Sequence, residues 1–419
     1  TAGNNSAFGH NALKANTTGT QNTAVGAFAL DANTTANNNT AVGYLAGTAC
    51  TTGTANVFVG DLAGQTLTTA DRCVFIGNTS GAVNTVTGDK NTGVGDNSLR
   101  NVSSGALNTA VGSESLMENT TASSNTAFGF ASLKANTTGA NNTAIGHESL
   151  LSNTTASFNV GIGHHALENN TTGTNNTTVG TDSLRANTTA SNNTAIGRTA
   201  LTANTTGIQN TAVGAYSLDA NIDSHNNTAI GYVALSSQTG GAGNNTALGA
   251  QTLQNTTTGG NNTAAGTDAL RVNTTGASNT AVGANALDSN TTASNNTAVG
   301  RLALGANSTG TENTAVGSGA LDANTTAYRN TAIGFDALGD NTTGEENTAI
   351  GRYALKSNTT AHQNTGVGRN ALKDNTTGQY NTALGVNALE GNTTADYNTA
   401  VGYFALDANT TGTENVAVG

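Results

Sequence analysis

A seventeen-residue unit, Asn-Thr-Ala-Val-Gly-x-x-Ala-Leu-x-x-Asn-Thr-Thr-Gly/Ala-x-x, runs through this chain from end to end. A period that short constrains the fold severely: one unit cannot bury an apolar face by itself and must stack on its copies. With the first Asn as slot 1, the slot falls at Asn5, Asn22, Asn39 and Asn56, passes through Cys73, and continues from Asn91 to Asn415. Only the units opening at Cys73 and Asn227 hold eighteen residues. Length alone would divide 419 residues into several domains. The unbroken period instead predicts a single continuous array over 1–419, and because Thr1 and Gly419 both fall inside units, a segment of a longer one.

Slot 4 is apolar in every unit, as at Val25, Val42, Val111 and Ile145, and slot 9 is Leu in most, as at Leu30, Leu133 and Leu150. These residues are the expected core. In an extended strand slots 2 and 4 share a face, so slot 2 is assigned inward as well, where Val57, Val74, Val160 and Val416 replace Thr. β-Branched residues suit a strand, and the Gly at slot 5 suits a bend that a side chain would obstruct. Seventeen residues with so little apolar matter are too short for a helix pair. The pattern predicts an all-β chain coiled as a parallel β-solenoid, seventeen residues per rung, with ladders linking residue i to i+17. Slot 15 alternates between Gly and Ala over long stretches, as at Gly310, Ala327, Gly344 and Ala361, which leaves a rung of thirty-four residues as the alternative. A helical turn within Leu-x-x-Asn-Thr-Thr-Gly also stays open.

Slots 1 and 12 return to Asn on almost every rung. A turn-forming role explains one Asn; its recurrence in a column predicts ladders of stacked amides, through Asn22, Asn39, Asn108, Asn125, Asn142, Asn193 and Asn210 at slot 1. The Asn-Thr-Thr triplets at Asn16, Asn33, Asn136, Asn204 and Asn324 are formally glycosylation acceptors, with the ladder as the competing reading. Slot 3 lies between two slots assigned inward. It is therefore expected outside, where Ala24, Ala110, Ala229, Ala315 and Ala400 would form a stripe for lateral self-association.

The regular pattern fails over residues 45–107. Slot 9 becomes Gly47, Gly64 and Gly81, slot 3 becomes Phe58 and Phe75, and the only cysteines, Cys50 and Cys73, stand where Asn is usual. A core repacked around displaced residues such as Leu45 and Leu62 is expected there, with free thiols, because the two cysteines differ in both slot and rung.

The net charge of -11 is spread thinly, and only 9 % of residues are charged, so no basic stripe for nucleic acid exists. No apolar run is long enough to span a bilayer. His147, His164 and His165 come close together if units stack, but the sequence shows no carboxylate or Cys set beside them, and solvated residues at variable slots are expected rather than a metal site. Gly93-Val94-Gly95 and Gly161-Ile162-Gly163 read as strand-end glycines, not nucleotide loops. Neither a nucleophile with a base nor paired carboxylates stand out, so no enzyme activity and no cofactor are expected. Slot 10 carries a mixed-sign stripe in which Glu168 and Arg185 would meet. Tyr44, Phe130, Tyr232, Phe335, Tyr353 and Tyr403 at slots 6 and 7 are the candidate ligand contacts.

Taken together, segments such as Asn210-Thr211-Ala212-Val213-Gly214 resemble the Asn-Ser-Val-Ala-Ile-Gly repeats of the β-roll heads of trimeric autotransporter adhesins and of related phage tail-fibre-like proteins. The resemblance implies an extracellular or cell-surface element of a filament, fibre shaft or adhesin head. It further implies a homo-oligomer with a trimer as the suggested form, and host-surface or carbohydrate ligands as candidate partners. An ice-binding solenoid is the alternative, since flat Thr-rich faces can order water; the inward assignment of slot 2 counts against it.

Overall fold

The computed structural model describes residues 3–241 and 243–419. It is an all-β parallel β-solenoid whose rungs hold about seventeen residues, without a helix among the described residues. Two compact units, Thr1–Gln209 and Asn210–Gly419, are each built the same way. The first contains β1 (Ser6–Phe8) to β12 (Thr194–Ile196), and the second β13 (Thr211–Val213) to β25 (Val416–Val418). Every strand is three residues long and occupies slots 2 to 4.

Within each unit strands pair in parallel with their neighbours in sequence, and the register is i to i+17: Thr143 faces Val160, Ala144 faces Gly161, and Ile145 faces Ile162. The two eighteen-residue units shift it once each, so that Val74 meets Thr92 and Thr228 meets Thr246. A thirty-four-residue rung is thereby excluded. The helical turn is absent for a local reason. Slots 7 and 9 both have left-handed backbone, as at Glu148 (φ 55°) and Leu150 (φ 54°), whereas Ser149 between them does not. A helix needs successive right-handed residues. The alternation instead turns peptide groups along the axis: Leu150 N donates to Ala166 O one rung on at 3.0 Å, and Glu148 N to Phe130 O one rung back at 3.0 Å. At the next corner the slot 13 backbone continues the ladder, Thr137 N donating to Thr154 O at 2.9 Å.

The strand is turned the opposite way from the sequence expectation. Slot 3 points inward and slots 2 and 4 point out. Ala24, Ala110, Ala229, Ala315 and Ala400 are all 0 % exposed, so they form no self-association stripe. Val25 and Val42 are 38 % exposed and Ile145 39 %; Val111 is half-buried. None of the four is core. The cause is the narrow bore of a seventeen-residue coil. Leu30, Leu133 and Leu150 at slot 9 are fully buried and reach across it, which leaves room opposite only for a small residue, Ala or Gly on most rungs and Thr178 on one. A Cβ placed on Gly161, at slot 3, would sit 3.2 Å from Leu150 Cδ1. A slot 3 residue as large as Phe therefore needs a smaller slot 9.

Residues 45–107 meet that condition. Phe58 and Phe75 are fully buried at slot 3, stacked with ring centroids 6.4 Å apart, and they fill the space vacated by Leu at Gly47, Gly64 and Gly81. The core is repacked, but by these inward rings rather than by Leu45 and Leu62. Over the same rungs slot 12 loses its amide: Cys50, Leu67 and Val102 are fully buried there, and Val86 bridges Leu67. Both thiols are free, and burial raises the Cys50 thiol to about 12 and the Cys73 thiol to about 11.

Elsewhere the inner half opposite the Ala and Leu columns is lined by amides. Asn22, Asn39, Asn108, Asn125, Asn142, Asn193 and Asn210 are buried. Asn125 Oδ1 accepts the backbone N–H of Asn142 at 2.9 Å, and Asn125 Nδ2 donates to Gly139 O at 2.9 Å. The slot 12 amide reaches the same carbonyl: Asn136 Nδ2 donates to Gly139 O at 2.9 Å and to Asn119 Oδ1 at 3.1 Å. Two columns of Asn thus converge on one peptide per rung and pair its buried carbonyl. This placement removes most of the glycosylation sites. Asn33, Asn136, Asn204 and Asn324 are fully buried with their Nδ2 atoms donating inside the coil, and only Asn16 is half-exposed.

Candidate functional site

What the fold shows to its surroundings is a set of columns, each one slot repeated at the rung spacing of about 4.8 Å. The first is the outer strand face. Slot 2 Thr residues are half-buried to exposed, and beside them runs the slot 4 column, including Ile230 at 41 %, Leu248 at 40 % and Val282 at 39 % exposure. Single exposed apolar residues are ordinary. An apolar side chain at the same slot on rung after rung, Val or Ile on most, makes a column of them.

The second feature lies at slots 6 and 7, just beyond the glycine bend. Slot 7 carries Glu148, His165 and Asp182 on three successive rungs, the loops after β9 (Thr143–Ile145), β10 (Val160–Ile162) and β11 (Thr177–Val179). His165 Nε2 is 3.2 Å from Glu148 Oε2, and its Nδ1 is 3.2 Å from Asp182 Oδ1. At slot 6, His147 and His164 stack with centroids 5.1 Å apart, and the His164 ring lies 3.6 Å from that of His165. One nitrogen from each of His147, His164 and His165 falls within 4.8 Å of the others. The carboxylates were missed in the sequence because they are seventeen residues from His165, not adjacent to it. Aligning slot 7 down successive units would have shown them.

Slot 10 borders this cluster. Arg185 Nε donates to Glu168 Oε2 at 2.5 Å, and Nη1 lies 3.5 Å from Asp182. The Glu168 hydrogen bond raises the Arg185 guanidinium above its usual range. In the second unit Arg271 pairs with Asp288 at 3.1 Å in the same way. Exposed pairs of this kind contribute at most about 1 kcal/mol each.

The exposed aromatics form short groups. Phe335 and Tyr353 meet edge to face at 5.6 Å, as do Tyr216 and Tyr232 at 6.2 Å. Slots 16 and 17, which the sequence offered only as variable positions, make a recess of about 290 Å³ lined by Tyr328, Glu345, Glu346, His362 and Tyr380. The Tyr380 ring stacks on Tyr397 at 4.9 Å and 3°.

No protein-family model matches the chain, and no curated protein matches it either. Among the described residues no helix is long and apolar enough to cross a membrane.

Proposed function

We propose that this chain is a non-enzymatic structural element of the extracellular space or cell surface, a part of a filament, fibre shaft or adhesin head, which assembles with copies of itself through the outer strand face. The slot 4 column carries this reading. It presents an apolar side chain on every rung, mostly Val or Ile and 39 % exposed at both Val282 and Ile333, flanked by uncharged Thr. Water covers such a face poorly, and a second identical face covers it well, because both have the same rung spacing. The face replaces the Ala stripe as the surface for self-association. Repetition of the same groups also supports extension and display over catalysis, which needs a few unlike groups converging on one point. The resemblance to adhesin β-roll heads supports a trimer and an exported location. For a carbohydrate ligand, the recess between Tyr328 and Tyr380 offers aromatic faces beside carboxylates and amides.

Sedimentation velocity on the full chain tests the proposal. An oligomer is expected, and Val282→Lys combined with Ile333→Lys should shift it towards monomer. A wild-type chain that stays monomeric at all concentrations would overturn the self-association reading. Electron microscopy of the native source should show fibres containing the chain.

A second reading gains from the strand orientation. With slot 2 outward, Thr residues such as Thr211 and Thr228, paired across β13 and β14 (Thr228–Ile230), repeat along one face at the spacing of rungs, and that is an arrangement on which water can order. Ice binding predicts thermal hysteresis in the monomer, abolished by Thr228→Lys. Self-association predicts none.

A further inference from the structure

We propose that His147, His164, His165 and Glu148 form a binding site for a divalent transition-metal ion of the zinc class. Two observations bring the residues to this chemistry. The first is the donor set. Three imidazoles from two successive rungs place one nitrogen each within 4.8 Å of one another, and imidazole with one carboxylate is a ligand set that suits Zn²⁺. The edge between His165 Nε2 and Glu148 Oε2 is 3.2 Å, close to the separation of about 3.4 Å between ligand atoms of a tetrahedron with bonds near 2.0 to 2.1 Å. His147 Nδ1 is 4.0 Å from the same carboxylate oxygen. The His147 side chain is 48 % exposed, so closing on an ion requires only rotation of side chains at the surface.

The second observation is the support around it. A ligating histidine ordinarily donates its other ring N–H to a carboxylate, which fixes the tautomer and turns the free nitrogen to the metal. Asp182 Oδ1 stands 3.2 Å from His165 Nδ1 and serves that purpose, and Arg185 Nη1 lies 3.5 Å from the same carboxylate oxygen. Arg185 also takes up Glu168 at 2.5 Å, the other carboxylate within reach of His165. Glu148, which pairs with His147 and His165, is left as the anionic ligand. Because the donors come from the two rungs of β9 and β10, the site exists only when these are stacked, so a bound ion would clamp two neighbouring rungs, with Asp182 on the third orienting His165.

The test is titration of the full chain with Zn²⁺ by calorimetry, and with Co²⁺ by visible absorbance as a geometric signature. One ion per chain is expected, with the intense d–d bands of a tetrahedral site. His147→Ala and His164→Ala, both at exposed positions, should each weaken binding about ten-fold or more, and Asp182→Asn, which keeps a residue tolerant of left-handed backbone, by roughly ten-fold. His362→Ala, in the other unit, should change nothing. The proposal is overturned if neither ion binds, if Co²⁺ shows only the weak spectrum of an octahedral aquo ion, or if the slot 6 variants bind as tightly as wild type.

Discussion

The Phe58 ring occupies the place where a side chain on Gly47 would begin: a Cβ built on Gly47 lies 2.5 Å from Phe58 Cδ2. A Cβ on Gly64 would collide with the same ring from the next rung. Phe at slot 3 and Gly at slot 9 are therefore one exchange, made against the usual Ala and Leu. Phe58→Ala alone should cost about 3–5 kcal/mol through the cavity it leaves. Gly47→Leu alone should also destabilise, by overpacking against the ring. Combining Phe58→Ala with Gly47→Leu and Gly64→Leu restores the common pattern and should recover most of the loss. Thermal or urea unfolding of the set would show the strong non-additivity expected of residues in contact; additive losses would refute the exchange.

Much of the fold was legible in the sequence, because a fixed period with Asn, Gly and Leu in register encodes stacking directly. The seventeen-residue rung, the Asn ladders and the Leu column were all readable. Strand orientation was not. A slot that is mostly Val or Ile reads as core and one that is mostly Ala as surface, yet the bore is so narrow that fully buried Leu150 on one side leaves space for only a small residue such as Ala144 on the other. The signal that could have decided it is the coupling of Phe58 and Phe75 to Gly47, Gly64 and Gly81, since only residues sharing one interior trade volume. Likewise Glu148 and Asp182 become neighbours of His165 only when units are read as columns.

The amide ladder should be costly to interrupt. Asn142 donates through Nδ2 to Ala156 O at 2.9 Å, while its Oδ1 accepts the N–H of Asn159 at 3.0 Å. Asn142→Ala leaves the buried Asn159 N–H without this acceptor, at an expected cost of about 1–3 kcal/mol, while Ala156 O keeps the Asn153 Nδ2 donor at 3.0 Å. Asn169→Ala, at an exposed position, should stay within about 0.5 kcal/mol. Chemical denaturation of the two variants makes the comparison, and equal effects would mean that the ladder contributes nothing.

The buried thiols predict an alkaline weakness. The folded chain holds Cys50 at about 12 and Cys73 at about 11 through burial, whereas an unfolded thiol ionises near about 8.5. Folded values above unfolded ones mean that the stabilisation is complete below about pH 8.5 and is lost as pH rises through the folded values, at up to roughly 1.4 kcal/mol per pH unit for each thiol. Between about pH 9 and 11 the wild type should therefore lose stability faster than a Cys50→Ala, Cys73→Ala double variant. Parallel slopes in the two melting profiles would show that the thiols are not buried as described.

Slot 5 and slot 3 glycines should respond oppositely to the same substitution. Gly146 has φ +133°, a region that residues with a Cβ avoid, and a Cβ there would lie 2.7 Å from the carbonyl carbon of Gly163 on the next rung. Backbone strain alone is of order 1–3 kcal/mol, and the rungs must also separate, which breaks the bond from Gly163 N to Ile145 O at 2.8 Å. Gly161 sits in β10 without positive φ, at a slot where Ala is usual, and its nearest obstacle is the Ser149 hydroxyl at 2.6 Å, which can rotate away. Gly146→Ala should thus lower the melting temperature and speed amide hydrogen exchange in β9 and β10, whereas Gly161→Ala should change stability by less than about 1 kcal/mol. If both variants behave alike, the bend does not depend on positive φ, and the glycine column would need another explanation than the one its backbone gives.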